Sequence, residues 1–586
     1  MFQLICPRGA RPLLLTIAVA LLASTACRSE DGNATEVDRG DVAETWDPRG
    51  LERIRGIELP QLRQALAERL AGARPDGLDA QDWKRVQALY ANYDTIPLWL
   101  EEDADSERGE DLIAALLTIH EHGLRGDLYP LDELRDALAP IDKARNPAPE
   151  QLAQADVMLS AMYVTLGEDL LIGQIDPGAV EQQWKLDARD IDVDSALART
   201  LRLEPLRNAI ARLRPLDEQY DALQAALVRY RELAERGGWR DVPEGPTLKP
   251  GDSTTVARAL ALRKRLAIEG LLEVASADTM PCEPGAGCDT VRVAYDAQLA
   301  GAVSEFQARH GIVRDSILGP NTVQSLNILV EYRIGQIMAN LERYRWLPRE
   351  LGDRYVYVNV PAFRLDAYDE GERVLSMRVI VGAEYEDRAT PAFSDSMTYL
   401  EFAPYWNVPQ NIAENELWPK QEADPTYFAR NDYETVERGG QTYVRQRPGE
   451  KNALGRVKFM FPNALNIYLH DTPERSLFDR DVRAFSHGCI RVGEPEKLAQ
   501  YALAHNEGWD AARIAAAMRG DNRQVPLARK IPVYIVYFTT FVRDGTLYFG
   551  NDIYDRDSEL VELVSKSAVP TPEAVALLEE LRKLVD

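Results

Sequence analysis

In the first half of the chain, apolar positions recur with the period of an α-helix. Leu62, Leu66 and Leu70 are spaced four residues apart, so they lie on one face of a helix. Faces of the same kind recur until Gly237 and Gly238, where the helical pattern stops. We therefore predict a helical domain over residues 51–240, with no chemistry of its own.

After about residue 350 the period changes to two. Segments 355–360, 378–381 and 532–537 are rich in Val, Ile and Tyr, which favour strands. A polar stretch over about 411–450, rich in aromatic and charged residues, interrupts this region. The pattern predicts a mainly β domain over residues 350–555 with one insertion, and a multidomain α+β fold for the whole chain.

Smaller helical units are expected on either side of the β domain. A Gly/Pro-rich break precedes residues 248–328, where we predict a small separate domain. In it, Gly311 is expected to end one helix and Pro320 to begin the next. A connecting helix is predicted over residues 329–349 and a helical tail over residues 556–586.

Residues 1–27 have the pattern of a secretory signal. Arg8 and Arg11 precede an apolar run that is too short to span a bilayer. Small residues then lead to Cys27, as in a bacterial lipobox, although Ser24 stands where a large aliphatic residue is usual. We expect lipidation at Cys27, with plain cleavage or an uncleaved anchor as alternatives. A polar tether over residues 28–50 follows, and membrane contact is expected only through this N-terminal anchor.

The net charge argues against nucleic acid as a partner. The formal net charge is −26, and the acidic excess is spread through the chain. Phosphate binding needs a positively charged surface, so a nucleic-acid-binding function is excluded. The charge mainly implies solubility.

The cysteines and histidines do not suggest a metal site. Cys282 and Cys288 bracket a short Gly/Pro-containing turn that can close a disulfide in an oxidising compartment. Two unpaired thiols are the alternative, and a metal is disfavoured because no further ligands lie close in sequence. His120 and His122 point to different faces of a helix, so we expect neither a metal nor another cofactor.

One local motif suggests nucleophilic catalysis. The run from Ser486 to Arg491 contains Cys489, and His470 lies nineteen residues before the cysteine. A thiolate is a strong nucleophile that forms when a nearby base or cation assists. A strand could bring His470, and a following turn Cys489, to the same place. The alternatives are a buried structural cysteine at this position and His487 as the base.

The residues around this pair resemble a known family. Segments 468–473 and 486–492 resemble the signature of the L,D-transpeptidase (YkuD) family, as do Arg388-Ala389-Thr390-Pro391 and Trp406-Asn407-Val408-Pro409. Segment 299–322 resembles a peptidoglycan-binding-type domain, which implies three short helices in residues 248–328. Whether this domain binds glycan or braces the enzyme stays open. The helical domain is similar to the scaffold domain of larger members, and the insertion to their capping subdomain, a candidate lid.

The resemblance implies roles for individual residues. Cys489 would be the nucleophile, His470 the general base and acid, and the backbone carbonyl of Asp471 would hold the imidazole tautomer. Arg491 could lower the thiol pKa, bind a substrate carboxylate or brace the loop. The expected oxyanion and substrate residues are Ser486, His487, Gly488, Arg491, Tyr468 and Trp406, and N–H groups of the cysteine turn could face the oxyanion.

The resemblance also implies a reaction on peptidoglycan stem peptides in the periplasm or cell envelope. A tetrapeptide donor would lose D-alanine and form a thioester, and a diaminopimelate amine would then attack to give a 3→3 cross-link. Water as acceptor would make an L,D-carboxypeptidase, and a lipoprotein lysine would make an anchoring enzyme. Carbapenems are expected to acylate Cys489. Two rivals remain, a papain-like protease, in which cysteine precedes histidine, and a non-catalytic wall-binding protein.

Overall fold

The computed structural model describes most of the chain after residue 41. The residues it describes are 42–44, 46–101, 107–142, 144, 146–182, 184–186, 191–273, 291–384, 388–567 and 572–585. The predicted lipidation site at Cys27 and the predicted disulfide between Cys282 and Cys288 lie outside these residues. Both therefore stay predictions.

The N-terminal region is helical, as the sequence predicts. The central helix, Pro149–Ile172, is buried around most of its circumference, which its apolar composition requires. Its buried Asp156 accepts backbone N–H groups from Leu98, Trp99 and Leu100 at 2.9–3.2 Å, which fixes a loop on the core. The helices are Leu59–Ala71, Ala80–Asn92, Glu107–Leu117, Leu131–Asp142, Pro149–Ile172, Pro177–Val180, Val193–Thr200, Leu206–Ala211 and Glu218–Glu235.

The small domain contains helices Val256–Ile268, Ala297–Arg309 and Pro320–Leu326 around its own apolar core. At the end of the second of these helices, the His310 ring stacks between Phe306 and Phe549, with centroid distances of 3.9 and 5.5 Å. Because Phe549 belongs to the C-terminal region, this contact braces the small domain against that region.

The C-terminal region is mainly β. The strands of the whole chain, labelled in chain order, are β1 Ala43–Glu44, β2 Arg53–Ile54, β3 Ile57–Glu58, β4 Trp184–Lys185, β5 Leu203–Glu204, β6 Ser253–Thr255, β7 Arg292–Ala294, β8 Arg354–Asn359, β9 Arg364–Asp369, β10 Glu372–Gly382, β11 Ala392–Phe402, β12 Trp406–Asn407, β13 Tyr433–Arg438, β14 Gln441–Gln446, β15 Val457–Met460, β16 Leu469–His470, β17 Ala484–Ser486, β18 Ile490–Val492, β19 Arg523–Val536, β20 Thr540–Arg543 and β21 Thr546–Phe549. Eight strands of the C-terminal region close into a ring in the order β15-β16-β18-β10-β9-β8-β19-β11, because β11 also pairs with β15.

The helical region has its own apolar core, and part of this region also packs into the core of the β region. Strand β4, from the helical region, pairs in parallel with β11. The predicted connecting helix is present as Val330–Arg345 and is buried between the two regions. Within it, Arg343 forms buried ion pairs with Glu181 of the helical region and Asp557 of the C-terminal region. The two regions therefore depend on each other for charge neutralisation.

The predicted insertion is a folded unit. Strands β12, β13 and β14 form a separate sheet, and short helices pack on it. They surround a small core that includes Val408, Leu417, Phe428 and Val444. We call residues 406–446 the cap. Its helical segments are Gln410–Ile412, the π-helical turn Ala413–Leu417, Trp418–Ala423 and Tyr427–Arg430.

The predicted tail folds back on the helical region. Its last helix packs against two helices of that region, and Leu578 and Leu581 are buried in the N-terminal core. The final residues therefore contribute to the scaffold. The remaining helices are Pro495–Leu503, Ala511–Arg519, Asp557–Val564 and Pro572–Val585.

Candidate active site

Strand pairing brings the two proposed catalytic residues to one edge of the ring. Strands β16 and β18 run parallel, with His470 opposite Arg491. The N–H of Ile490 donates to the carbonyl of Tyr468 at 3.1 Å. Cys489 therefore lies in the turn that enters β18, beside the strand that carries His470.

The cysteine turn is held by side chains on both sides. Gly488 has a φ of +105°, which favours glycine. Ser486 Oγ donates to the carbonyl of Cys489 and accepts the Gly488 N–H at 3.2 Å. Thr390 Oγ1 donates to the Gly488 carbonyl at 2.9 Å. The Gly488 N–H is thus already hydrogen-bonded within the loop.

The Cys489 side chain is half-buried. Its Sγ lies 3.8 Å from the carbonyl oxygen of Asn466 and hydrogen-bonds the Tyr468 side chain. Burial raises the pKa of the thiol, while Tyr468, Lys458 and Arg491 oppose that rise. The resting thiol is therefore neutral, and an attack on a carbonyl requires a base.

The His470 ring is oriented to act as that base. Its Nδ1 lies 2.6 Å from the Asp471 carbonyl oxygen, which can only accept, so Nδ1 carries the proton and Nε2 has the lone pair. Burial, then the charge of Arg491, lowers the pKa of His470 to about 3. The imidazole is neutral at physiological pH, and among the described contacts no hydrogen bond joins it to Sγ. Such contacts often tighten only when substrate binds.

The Asp471 side chain anchors the turn after His470. Its carboxylate accepts the N–H of Arg456 at 2.8 Å and pairs with Arg475 at 3.2 Å. This arrangement fixes the peptide whose carbonyl faces Nδ1. Gly455 passes so close that an added Cβ would lie 2.4 Å from Asp471 Cγ.

The other predicted residues divide between the thiol and the cap. Tyr468 touches the sulfur, and Arg491 forms an ion pair with Glu474 while it lowers the thiol pKa. His487 Nε2 lies 2.7 Å from Glu416 of the cap. Trp406 begins the cap sheet and packs near Tyr433, with ring centroids 6.3 Å apart. Tyr468 and Arg491 therefore lie with the thiol, His487 connects the cysteine turn to the cap, and Trp406 lies in the cap sheet.

Sequence reasoning missed Lys458. In strand β15 it lies directly opposite His470, and its ammonium is 3.9 Å from the centroid of the Tyr468 ring. Burial lowers the pKa of Lys458, while the charges of Glu401 and Cys489 raise it. The signal in the sequence that could have identified it was a single charged residue between the apolar Val457 and Phe459.

A cavity of about 710 Å³ opens behind the His470 turn, and Cys489 is not in its lining. It is bordered by charges of both signs, including Asp471, Arg475 and Glu494. The described part of the chain has no group of three His, Cys, Asp or Glu side chains that could hold a metal. It also has no helix both long and apolar enough to cross a bilayer.

Comparison with known proteins agrees with this geometry. Residues 353–533 match the family model of the L,D-transpeptidase catalytic domain, a range that contains both His470 and Cys489. The chain carries an L,D-transpeptidase catalytic domain. Residues 84–227 match the family model of a Scaffold domain, so the helical region is the scaffold beside the transpeptidase domain.

A curated relative and a solved structure are also similar to the chain. A proposed L,D-transpeptidase of Haemophilus influenzae is 33% identical over 267 residues, which cover 41% of this chain and 53% of the relative. The chain thus spans about half the length of that relative. An L,D-transpeptidase crystal structure from Xylanimonas cellulosilytica is 17% identical and covers 50% of this chain and 99% of its own, with a TM-score of 0.15. A score this low supports no conclusion about fold or function.

Proposed function

We propose that this chain is a peptidoglycan L,D-transpeptidase that forms 3→3 cross-links through a thioester on Cys489. The observation that carries the proposal is the placement of a half-buried thiol beside a strand whose histidine has Nδ1 fixed on a backbone carbonyl. This arrangement leaves an unprotonated imidazole nitrogen beside a nucleophile inside a transpeptidase domain.

In the first step, Sγ of Cys489 attacks the carbonyl carbon of the third residue of a tetrapeptide stem. The thiol proton passes to Nε2 of His470 and then to the amine of the departing D-alanine, which leaves a thioester. The Tyr468 hydroxyl, which contacts the sulfur, donates to the charge that develops on it. A neutral resting pair makes this proton transfer concerted with attack.

In the second step, the side-chain amine of diaminopimelate on another stem attacks the thioester carbon. His470 takes the amine proton and returns it to sulfur, so the thiol is regenerated as the new amide forms. Water as acceptor would give an L,D-carboxypeptidase, and a lipoprotein lysine an anchoring reaction. The cap contacts the cysteine turn through Glu416 and His487. A cap that closes over the thioester would exclude water, which favours the amine acceptor.

Incubation of the purified protein with tetrapeptide stems, followed by mass analysis, tests the reaction. We expect tripeptide–tetrapeptide dimers and a thioester adduct on Cys489, both lost in Cys489→Ala. Ser195→Ala, a change at an exposed serine of a scaffold helix, serves as the control. Tripeptide without dimer would instead show the carboxypeptidase, and unchanged dimer formation in Cys489→Ala would remove the thiol from its proposed role.

We also propose that the protein works in the cell envelope, attached by a lipid on Cys27. The supporting observation is the basic and apolar N-terminal pattern that ends at this cysteine. Labelled palmitate should enter the wild-type protein but not Cys27→Ser. Absence of label from both proteins would contradict the anchor and leave the reaction proposal untouched.

A further inference from the structure

Glu416 reaches from the cap to the cysteine turn. It lies on the π-helical turn Ala413–Leu417, whose end residues are buried in the cap core. Because the cap core fixes this turn, we expect the Glu416 carboxylate to move together with the cap.

One oxygen of this carboxylate has two nitrogen partners. Oε1 of Glu416 lies 2.7 Å from Nε2 of His487 and 3.4 Å from a guanidinium nitrogen of Arg388. Both nitrogen-bearing side chains are partly exposed, at 30% and 22%. An imidazole and a guanidinium that converge on one oxygen form a carboxylate-binding arrangement.

Both partners flank the nucleophile. His487 is two residues before Cys489. The Arg388 segment lies against the same turn, since a Cβ added at Gly488 would be 3.5 Å from the Arg388 carbonyl oxygen. Two residues after Arg388, Thr390 hydrogen-bonds the Gly488 carbonyl at 2.9 Å. A carboxylate bound here would therefore sit beside the reacting sulfur.

We propose that Arg388 and His487 form a subsite for a carboxylate of the donor stem, and that Glu416 occupies it as an internal ligand until substrate displaces it. The inference rests on the proposed function for the identity of the stem. Displacement of Glu416 also breaks the contact between the cap and the cysteine turn, so substrate binding and cap release are coupled. The carboxylate is that of the terminal D-alanine or of the diaminopimelate side chain.

Alkylation of Cys489 tests the subsite without any turnover. Iodoacetate is anionic and iodoacetamide is neutral, so the ratio of their rates reports how well the site accepts a carboxylate. In Glu416→Gln this ratio should rise about two- to fivefold, the effect of removing a partly exposed charge contact. Glu414→Gln is the matched control, because Glu414 is an exposed acid of the same turn that pairs with Gln410 at 2.9 Å.

Two further variants identify the binding groups. Adding Arg388→Gln or His487→Gln to Glu416→Gln should reverse the gain in the rate ratio. If Glu416→Gln has the same ratio as the wild type and Glu414→Gln, the subsite does not exist. Circular dichroism and the iodoacetamide rate itself show whether each variant keeps its fold and its thiol.

Stem analogues then assign the carboxylate. With the unmodified stem, Glu416→Gln should lower KM about two- to fivefold relative to the wild type. Amidation of the bound carboxylate should abolish this advantage, while amidation of the other should leave it. If neither amidation matters, the proposal is wrong. If no stem is turned over by any variant, the proposed function fails, and the alkylation ratio still decides the existence of the subsite.

Discussion

At the scale of single residues, Lys458 adds a cation that the catalytic motif does not contain. Its ammonium faces the ring of Tyr468, whose hydroxyl reaches the Cys489 sulfur. Its charge lowers the thiol pKa and also lowers the pKa of His470. Lys458 therefore stabilises the negative charge that develops on the sulfur in the proposed first step, and it helps to keep the resting imidazole neutral.

Lys458→Met should move the pH dependence of Cys489 alkylation to higher pH. Since the ammonium lowers the thiol pKa, its removal should raise that pKa by roughly half a unit to one unit. The iodoacetamide rate, measured from mildly acidic to mildly alkaline pH, reports the shift. Methionine keeps most of the length of the side chain and removes its charge.

Lys497→Met is the control for loss of a positive charge. Lys497 is 63% exposed and pairs with Glu494, so this variant should leave the alkylation profile unchanged. A Lys458→Met profile that overlays the wild-type curve would show that the ammonium does not act on the thiol.

At the scale of elements, the turn that orients His470 depends on a close approach of two backbone segments. Gly455 has a φ of +62° and lies against the Asp471 side chain, which accepts the next N–H along the chain, that of Arg456. The loop before β15 thus supports the turn after β16. A side chain at residue 455 must push Asp471 away from this position.

Gly455→Ala should lower both stability and turnover. The positive φ and the clash with Asp471 act together, and the clash should reduce the free energy of unfolding by about 1–3 kcal/mol. Turnover should fall because the Asp471 carbonyl moves relative to Nδ1 of His470. Urea denaturation and the muropeptide assay measure the two effects.

Gly439→Ala separates the clash from backbone strain. Gly439 has nearly the same φ, +61°, but an added Cβ would meet no atom within 4 Å. We expect this control to lose stability by about 1 kcal/mol from strain alone and to keep its turnover. Equal losses of stability and turnover in both variants would show that contact with Asp471 has no special importance.

The sequence predicts elements and motifs better than contacts between distant segments. The helical and β regions follow from local periodicity. The motifs around His470 and Cys489 are likewise recognised from short stretches of sequence. The pairing of β15 with β16 that brings Lys458 to the site is not visible in a local pattern. The same holds for β4, which crosses from the scaffold to the transpeptidase sheet, and for Glu416, whose partners lie more than two dozen residues away.

At the scale of the whole molecule, the scaffold and the transpeptidase domain meet through buried ionisable groups. Glu342 and Arg345 of the connecting helix form an ion pair that is almost fully buried. Glu342 Oε1 also accepts the N–H of Ile175 at 2.8 Å, just beyond the central scaffold helix. The interface therefore links the protonation of scaffold residues to the stability of the assembled fold.

Asp169 is the group whose titration should report this interface. Burial raises its pKa to about 7, and Glu342 adds to the rise, while hydrogen bonds from Tyr129 at 2.5 Å and Gln174 at 2.7 Å oppose it. The folded-state pKa lies above the ordinary value of 3.8 for an aspartate. Between pH 3.8 and about pH 7, Asp169 is therefore ionised in the unfolded chain and protonated in the folded chain. This group's contribution to stability is therefore complete below about pH 4 and is lost as pH rises through about 7.

Asp169→Asn should remove this pH dependence, because an amide keeps the hydrogen-bonding shape and does not titrate. Relative to the wild type, the variant should become progressively more stable as pH rises from about 4 to about 7, with a slope of at most about 1.4 kcal/mol per pH unit. Urea denaturation at a series of pH values measures this difference. Buried histidines such as His122, whose pKa burial lowers to about 3, change stability with pH in the opposite direction. They do so equally in both proteins, so their effect cancels in the comparison.

The exposed Asp76 supplies the control Asp76→Asn, whose difference in stability from the wild type should not change with pH. A flat difference for Asp169→Asn as well would mean that Asp169 is already ionised in the folded protein and that the interface carries an additional buried negative charge.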